Sequence, residues 1–465
     1  MLAIPEGVSV IGLGKLGACV AACLAHKGFQ VIGVDVNQTS VDLVNAGRAP
    51  VMEPGLDEMI AANRQRLKAT TNYAEAIAAT EATLIVVPTP SDDDGAFSLT
   101  YVHEAGRQIG AALRNRNKYH LVVLTSTVLP GSTEYGLMPV LEAESGKSCG
   151  PDFGLCYSPE FIALGSVIHD FLRPDLILIG ESDERAGSAL ADLYERACET
   201  HPPVARMSFM NAELTKLSVN TYVTMKISFA NMLASICERL PGGDVDVVTS
   251  ALALDPRIGS KYLKGAVSYG GPCFPRDNKA LAYLGRQLDR PATLAEATDT
   301  YNRSVIDRIL TIVEEAITPD DEVAILGLAY KPYTNVVEEA AGLLLAGQLA
   351  DRGVRVTVHD PLAKDAAARV LGIRVRYAAT PADAIATATL VALMSPDRVY
   401  TQSDLLIKGL KPGSVLLDAW RSMPHETIER LGVRYIGVGR ARGNGKADLL
   451  KRLWAPPTTS SKDRR

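Results

Sequence analysis

The sequence has no long apolar run. Stretches such as 343–346 fall far short of the roughly 20 apolar residues a spanning helix needs, which excludes a transmembrane protein of the helical kind. It also has little charge of one sign. A net charge of −5 over 465 residues argues against nucleic acid or an anionic membrane as the main partner. The seven cysteines (Cys19, Cys23, Cys149, Cys156, Cys198, Cys237, Cys273) form no CxxC pair and are odd in number. No signal peptide is expected ahead of the first strand, and a reducing, cytoplasmic setting is expected. The seven histidines make no HExxH and no Cys/His cluster, so no metal site is expected. What remains, 47% hydrophobic and 22% charged residues, describes a globular chain with ample core and about two or three domains.

The N-terminal half alternates strands and helices. A short apolar run at 8–11 leads into Gly12-Leu13-Gly14-Lys15-Leu16-Gly17, which opens a helix at 18–27. A second strand, 31–35, ends in Asp35. Strand, G-x-G-x-x-G, helix, strand and acid together describe a dinucleotide-binding turn. The glycines permit the tight turn, close approach of a pyrophosphate and helix–strand packing, and the helix N-terminus favours the phosphates. Asp35 would accept hydrogen bonds from an adenosine ribose and repel a 2′-phosphate, favouring NAD over NADP. Cys19 and Cys23 fall one turn apart on this helix and read as inert packing. Further strands are expected at 82–87, 120–124, 153–158 and 176–179, the last closing the sheet. Thr89 and Thr127 follow two of them, where an open α/β sheet binds ligands. They either face the cofactor or form turns. Glu160 stands among apolar neighbours at another strand end, where a raised pKa would suit a base.

The middle holds a helical pattern from 209 to about 240, without proline. Glu213, Lys216 and Asn220 share one face of it. Such a face is either solvated or lines a site in which Lys216 supplies charge to an oxyanion. Downstream lies Tyr269-Gly270-Gly271-Pro272-Cys273-Phe274-Pro275-Arg276-Asp277. Two glycines and two prolines exclude an ordinary helix or central strand and describe a tight turn displaying one thiol. A helix is expected to follow at 278–288. Cys273 is either a nucleophile, activated by a helix N-terminus or a nearby cation, or a buried structural cysteine. Basic residues upstream, Arg257 and Lys264, could neutralise a phosphorylated or nucleotide-linked substrate. The C-terminal half repeats the α/β order, with strands at 322–327, 355–361, 390–394 and 414–418, but without G-x-G-x-x-G. A Pro/Ser/Thr-rich charged tail, 456–465, reads as disordered.

Assembled, these pieces resemble the nucleotide-sugar (UDP-glucose/GDP-mannose) dehydrogenase family, and most closely its UDP-glucose branch. The resemblance rests on the glycine loop, Asp35, Glu53-Pro54-Gly55-Leu56, Thr89-Pro90, Ser126-Thr127, Ser158-Pro159-Glu160-Phe161, the Lys216/Asn220 helix, Arg257-Ile258-Gly259, Lys264, Gly271-x-Cys273-Phe274-Pro275-x-Asp277 and Gly327-x-Ala329-Tyr330-Lys331. It implies two Rossmann-like doubly wound domains joined by a long central helix. The expected division is an NAD-binding domain over 1–200, a dimerising and cysteine-bearing region over 201–300, and a nucleotide-sugar domain over 301–455. It implies NAD as cofactor, a homodimer or higher homo-oligomer, and four-electron oxidation of a sugar C6 hydroxyl for polysaccharide biosynthesis. On this basis Cys273, Lys216, Asp277, Glu160 and Asn220 are the catalytic set. Gly12, Gly14, Lys15, Leu16, Gly17, Asp35, Thr89, Thr127 and Arg276 would hold the cofactor. Phe161, Ile162, Lys216, Asn220, Arg257, Tyr262, Lys264, Gly270, Lys331 and Arg421 would hold the substrate, with Arg257 reaching in from a neighbouring subunit.

Several positions depart from the family's pattern: Lys15, Leu129, Leu164, Arg276 and, above all, Glu338, where many members carry an arginine. They bear on the substrate more than on the chemistry. The same chemistry on GDP-mannose, a UDP-N-acetylhexosamine or dTDP-glucose stays open. So do a two-electron hydroxyacid-type dehydrogenase, which would need no thiol, and a non-catalytic NAD-binding relative.

Overall fold

The computed structural model describes residues 5–402, 404–443 and 445–454. The expected tail at 456–465 lies outside them. The chain divides into two compact units. One comprises the residues up to Asn220 together with Arg276–Ala292; the other comprises Thr221–Pro275 and the residues from Thr293 on.

The first unit is built on eight strands: β1 (Gly7–Ile11), β2 (Gln30–Val34), β3 (Leu67–Thr70), β4 (Ala82–Ile85), β5 (Leu121–Leu124), β6 (Gly154–Tyr157), β7 (Ile177–Glu181) and β8 (Val204–Met207). Their order is β3-β2-β1-β4-β5-β6-β7-β8. β6 and β7 pair antiparallel and the other neighbours parallel. β4, β5 and β6 are buried along their whole length, as strands covered on both faces must be. Their alternate residues feed two separate cores: Leu84 and Val123 face one, Ile85, Val122 and Leu124 the other. Helix Gly17–His26 is buried over nearly all its length because small residues (Ala18, Ala21, Ala22, Ala25) let it sit close to the sheet. Cys19 and Cys23 are part of that packing, and burial pushes the Cys23 thiol up to about 12.

The expectation that 176–179 closes this sheet is corrected: β8 lies beyond β7 at the edge. β8 lacks an apolar run, its residues being exposed or half-buried in alternation, and is tied in by Arg206 to Glu181 at 2.7 Å. β3, another edge strand, is short and carries a lysine, which hides it from a hydrophobicity reading.

The second unit carries β9 (Glu322–Leu326), β10 (Arg355–His359), β11 (Arg376–Tyr377), β12 (Leu390–Leu393), β13 (Val415–Asp418) and β14 (Arg434–Gly437). They form an all-parallel sheet of order β11-β10-β9-β12-β13-β14. The glycine fingerprint is missing, yet its mechanics persist. Gly327 has φ +99°, and a Cβ on Gly342 would overlap the Gly327 carbonyl. Asp360, just past β10, accepts from the backbone N–H groups of Leu328 (2.8 Å) and Ala329 (3.0 Å). It also accepts from Leu362 (2.9 Å) and Ala363 (2.8 Å), so four backbone donors occupy it.

The long helix runs Phe209–Cys237, 29 residues, and the division between units falls within it. Among the described residues no helix is long and apolar enough to cross a membrane, and no three His, Cys, Asp or Glu side chains are placed to hold a metal ion.

Candidate active site

In the first unit the strand order reverses between β1 and β4, and a cavity of about 570 Å³ opens there at the carboxyl ends of the strands. Gly12, Gly14, Lys15, Leu16, Gly17, Asp35, Thr89, Thr127, Glu160 and Arg276 all line it. Gly12 and Gly17 are required for steric reasons. Gly12 has φ +96° and abuts the Val86 carbonyl, and a Cβ on Gly17 would overlap the Gly12 carbonyl. Asp35 Oδ2 accepts from Leu13 N at 2.6 Å and Oδ1 from Asn37 N at 2.8 Å, which locks the carboxylate at the loop. A bare, Cβ-free backbone at a helix N-terminus, with an acid fixed at the end of β2, fits the pyrophosphate and ribose of a dinucleotide.

The cavity wall continues through two threonines and an arginine. Thr89 Oγ1 donates to the Thr127 carbonyl at 2.7 Å, joining the ends of β4 and β5. Arg276 Nη1 donates to the Thr89 carbonyl at 3.2 Å, its guanidinium lies over Phe97 at 4.5 Å, and its Nε is 3.4 Å from Asp277. Asp277 is buried and accepts from Asn220 Nδ2 at 2.5 Å.

The long helix presents its polar face inward, not to solvent: Glu213, Lys216 and Asn220 are all buried. Glu213 accepts from Gly131 N (2.7 Å), Thr133 N (2.8 Å) and Thr133 Oγ1 (2.7 Å), anchoring the loop that follows Thr127. Lys216 Nζ donates to the Glu160 carbonyl at 2.6 Å and sits 4.5 Å from the Phe161 ring centroid. Glu160 is half-buried on the cavity wall. Loss of hydration pushes its carboxyl up to about 7, against a hydrogen bond from Tyr194 and the positive charge of Lys216. A carboxyl near neutrality can take a proton and return it, which is what a general base needs. Ile162 packs against the neighbouring hydrophobic core.

In the second unit the cysteine turn is held by its backbone. Gly271 has φ +83° and donates to the Glu338 carbonyl at 2.8 Å. A Cβ there would press into the Tyr330 ring, and one on Gly270 would overlap the Glu339 carbonyl. Phe274 lies edge-on to Tyr262 (6.4 Å) and Tyr269 (6.2 Å). Cys273 is exposed, which corrects the buried alternative, and it directly precedes helix Phe274–Gln287. That helix starts four residues earlier than periodicity suggested, because Phe274 and Pro275 occupy a first turn where proline is tolerated. Lys264 is exposed and Lys331 half-buried, its Nζ 5.9 Å from the Tyr330 ring centroid. Arg257 is exposed and paired with Asp255 at 2.5 Å. Arg421 is buried, with φ +54°. It makes a two-pronged pair with Asp246 (2.7 and 2.9 Å) and donates to the carbonyls of Gly265 (2.7 Å), Ala419 (3.2 Å) and Val438 (2.5 Å). Its donors therefore serve the protein's own framework.

Residues 6–198, 210–304 and 324–424 match, in turn, the NAD binding, central and UDP binding domains of the UDP-glucose/GDP-mannose dehydrogenase family. The chain belongs to the UDP-glucose/GDP-mannose dehydrogenase family. Among its relatives, UDP-glucose 6-dehydrogenase AglM of Haloferax volcanii is 37% identical over 394 residues, 84% of this chain and 91% of the relative. GDP-mannose 6-dehydrogenase of Pseudomonas syringae pv. tomato is 34% identical over 91% of this chain and 94% of its own. A UDP-glucose dehydrogenase structure from Pyrobaculum islandicum superposes with a TM-score of 0.85 at 36% identity, covering 94% of this chain and 98% of that one. The cofactor of this nucleotide-sugar dehydrogenase is NAD, and the Cβ-free cradle and Asp35 are the residues that fit it.

Sequence reasoning missed several residues of the dehydrogenase cavity. Tyr73, Tyr101 and Glu104 line it from the helices Tyr73–Ala79 and Thr100–Leu113. Their signal was weak: each is one residue of an amphipathic helix, with no motif around it. Tyr194, on helix Glu184–Ala197, was missed as well. Its hydroxyl donates to Glu160 Oε1 at 3.2 Å.

Proposed function

We propose that this chain oxidises the C6 hydroxyl of UDP-glucose to the carboxylate of UDP-glucuronate, in the cytoplasm, with two NAD reduced per sugar. What supports this most is the exposed thiol of Cys273 on its glycine-braced turn, within a family pattern whose other reacting groups are all present. NAD, when bound, accepts a hydride at each of the two oxidation stages.

The chain's own residues supply the rest. The proton of the C6 hydroxyl leaves to a base, directly or through water, and Lys216 offsets the alkoxide charge. Once the first hydride has gone, Cys273 adds to the aldehyde carbon and forms a C–S bond. The aldehyde carbon becomes tetrahedral and its oxygen an oxyanion, the charge that Lys216 and Asn220 serve to stabilise. A thiohemiacetal can expel a second hydride, which an aldehyde cannot readily do, and a thioester results. Glu160 then takes a proton from water as the water attacks, the C–S bond breaks, and Cys273 is released. Asp277, held by Asn220, orders that water. Lys264 and Lys331 meet the substrate's phosphates, Tyr262 and Gly270 border the sugar, and Arg257 serves the adjoining subunit.

The active form is a homodimer or a larger homo-oligomer. Tyr222, Phe229, Met232 and Ile236 are exposed at helical spacing along Phe209–Cys237, and Val247 and Leu254 are exposed on helix Val245–Ala253 and the residue after it. An apolar stripe of this kind on a soluble chain suits a second copy.

The GDP-mannose relatives favour one second reading, the same chemistry on GDP-mannose. Phe274 after the cysteine fits the UDP-glucose branch, where GDP-mannose enzymes tend to carry leucine. A screen of nucleotide hexoses for NADH formation decides between them. Turnover of UDP-glucose with close to two NADH per sugar is expected; no turnover of any UDP-hexose contradicts the proposal.

A further inference from the structure

Glu160 has a neighbour that the reaction scheme leaves unused. Tyr194 is 3% exposed, and its hydroxyl lies 3.2 Å from Glu160 Oε1 and 3.1 Å from Ser158 Oγ. Ser158 directly follows β6, two residues before Glu160, and is fully buried. Three oxygens are thus linked, Glu160 Oε1 to the Tyr194 hydroxyl and the Tyr194 hydroxyl to Ser158 Oγ.

We infer that Tyr194 is a positioning residue for Glu160, a hydroxyl that reverses its donation so that the carboxyl stays in place in both protonation states. With Glu160 ionised, Tyr194 donates to it. With Glu160 protonated, the carboxyl donates to the tyrosine oxygen, and Tyr194 turns its own proton to Ser158. A fixed donor such as a backbone N–H would favour the ionised form alone. A hydroxyl both donates and accepts, so it serves a group that gains and loses a proton every cycle.

The other groups around Glu160 do not take this part. Lys216, from the long helix, is a donor only and holds the Glu160 carbonyl. Cys23, from helix Gly17–His26, and Cys198, just after helix Glu184–Ala197, bear on the same carboxyl. Burial pushes these thiols up to about 12 and about 11, so both stay neutral. Burial raises the Tyr194 phenol too, which keeps it a neutral hydroxyl.

The inference rests on Glu160 being the base, and the test separates the two claims. The pH dependence of kcat with NAD and UDP-glucose is measured beside an isotope-edited infrared titration of the Glu160 carboxyl in the enzyme without substrate. Tyr194→Phe removes a hydrogen bond to the charged form, so the acid limb and the infrared midpoint move up by about one pH unit. Ser158→Ala leaves Tyr194 with the carboxylate as its single acceptor, so both move down. Opposite directions are a signature that a packing role does not produce. Unmoved midpoints, or shifts of one sign in both variants, overturn the inference; should Tyr194→Phe fail to fold, the direction in Ser158→Ala decides. Full turnover by Glu160→Gln overturns the reading of Glu160 as base, while the infrared midpoints still judge Tyr194.

Discussion

Replacing Glu160 by glutamine should make the protein more stable while it removes the hydrolytic step. Burial holds the Glu160 carboxyl at about 7 in the folded protein against an ordinary value of 4.5. The folded state therefore binds this proton more tightly than the unfolded chain does. The stability that comes from holding it is fully present below pH 4.5 and is lost as pH rises through about 7. Each pH unit of that difference is worth 1.36 kcal/mol. Keeping Glu160 ionised at pH 8 therefore costs the fold roughly 3 kcal/mol, a sum glutamine does not incur. Glutamine keeps the size and still accepts from Tyr194. Thermal or urea unfolding of both proteins from pH 5 to 9 reads the effect. Glu160→Gln should gain on the wild type as pH rises and level off above about pH 8, with activity lost throughout. A stability difference that is the same at pH 5 and pH 8 refutes the reasoning, because it means Glu160 carries no unusual proton affinity. A site that sacrifices stability for a near-neutral base is common in enzymes.

The remaining predictions concern the cofactor, the proton network and assembly. Asp35→Ala should lower kcat/KM for NAD about tenfold or more and narrow the preference over NADP, measured with both cofactors. Asn220→Ala deprives buried Asp277 of its 2.5 Å donor, so kcat should fall about a hundredfold or more with a smaller change in KM, read by steady-state kinetics. Phe229→Glu puts a charge on the exposed stripe and should shift the protein to monomer in light scattering. An unchanged mass would place the subunit contact elsewhere.

Much of the first unit was legible because its requirements are local. A turn that leaves no room for Cβ must be glycine, so Gly12 and Gly17 announce it, and Asp35 follows at the end of the next strand. The strands recovered from the sequence are the interior ones, each built on a short apolar run. β3 and β8 escaped because edge strands here are short and polar, their identity set by the neighbour they pair with. The inward face of the long helix could not be assigned from spacing alone. Glu213 is buried because Gly131 and Thr133, some eighty residues away in sequence, supply the donors that satisfy it. Tyr194 and Arg421 are long-range cases too: one bonds Glu160, 34 positions away, the other Asp246, 175 positions away. Cys273 was readable as a displayed residue from its glycines and prolines, though its exposure came from the turn's bracing against Tyr330 and the Glu338–Glu339 backbone.

The central claim is that Cys273 carries the sugar through the second oxidation. The most direct test counts NADH per UDP-glucose consumed and weighs the protein and its proteolytic peptides by mass spectrometry after a rapid acid quench. The wild type should yield two NADH per sugar and show an adduct on the peptide containing Cys273. Cys273→Ala should show no adduct and make no UDP-glucuronate. Two NADH per sugar from Cys273→Ala would contradict the account.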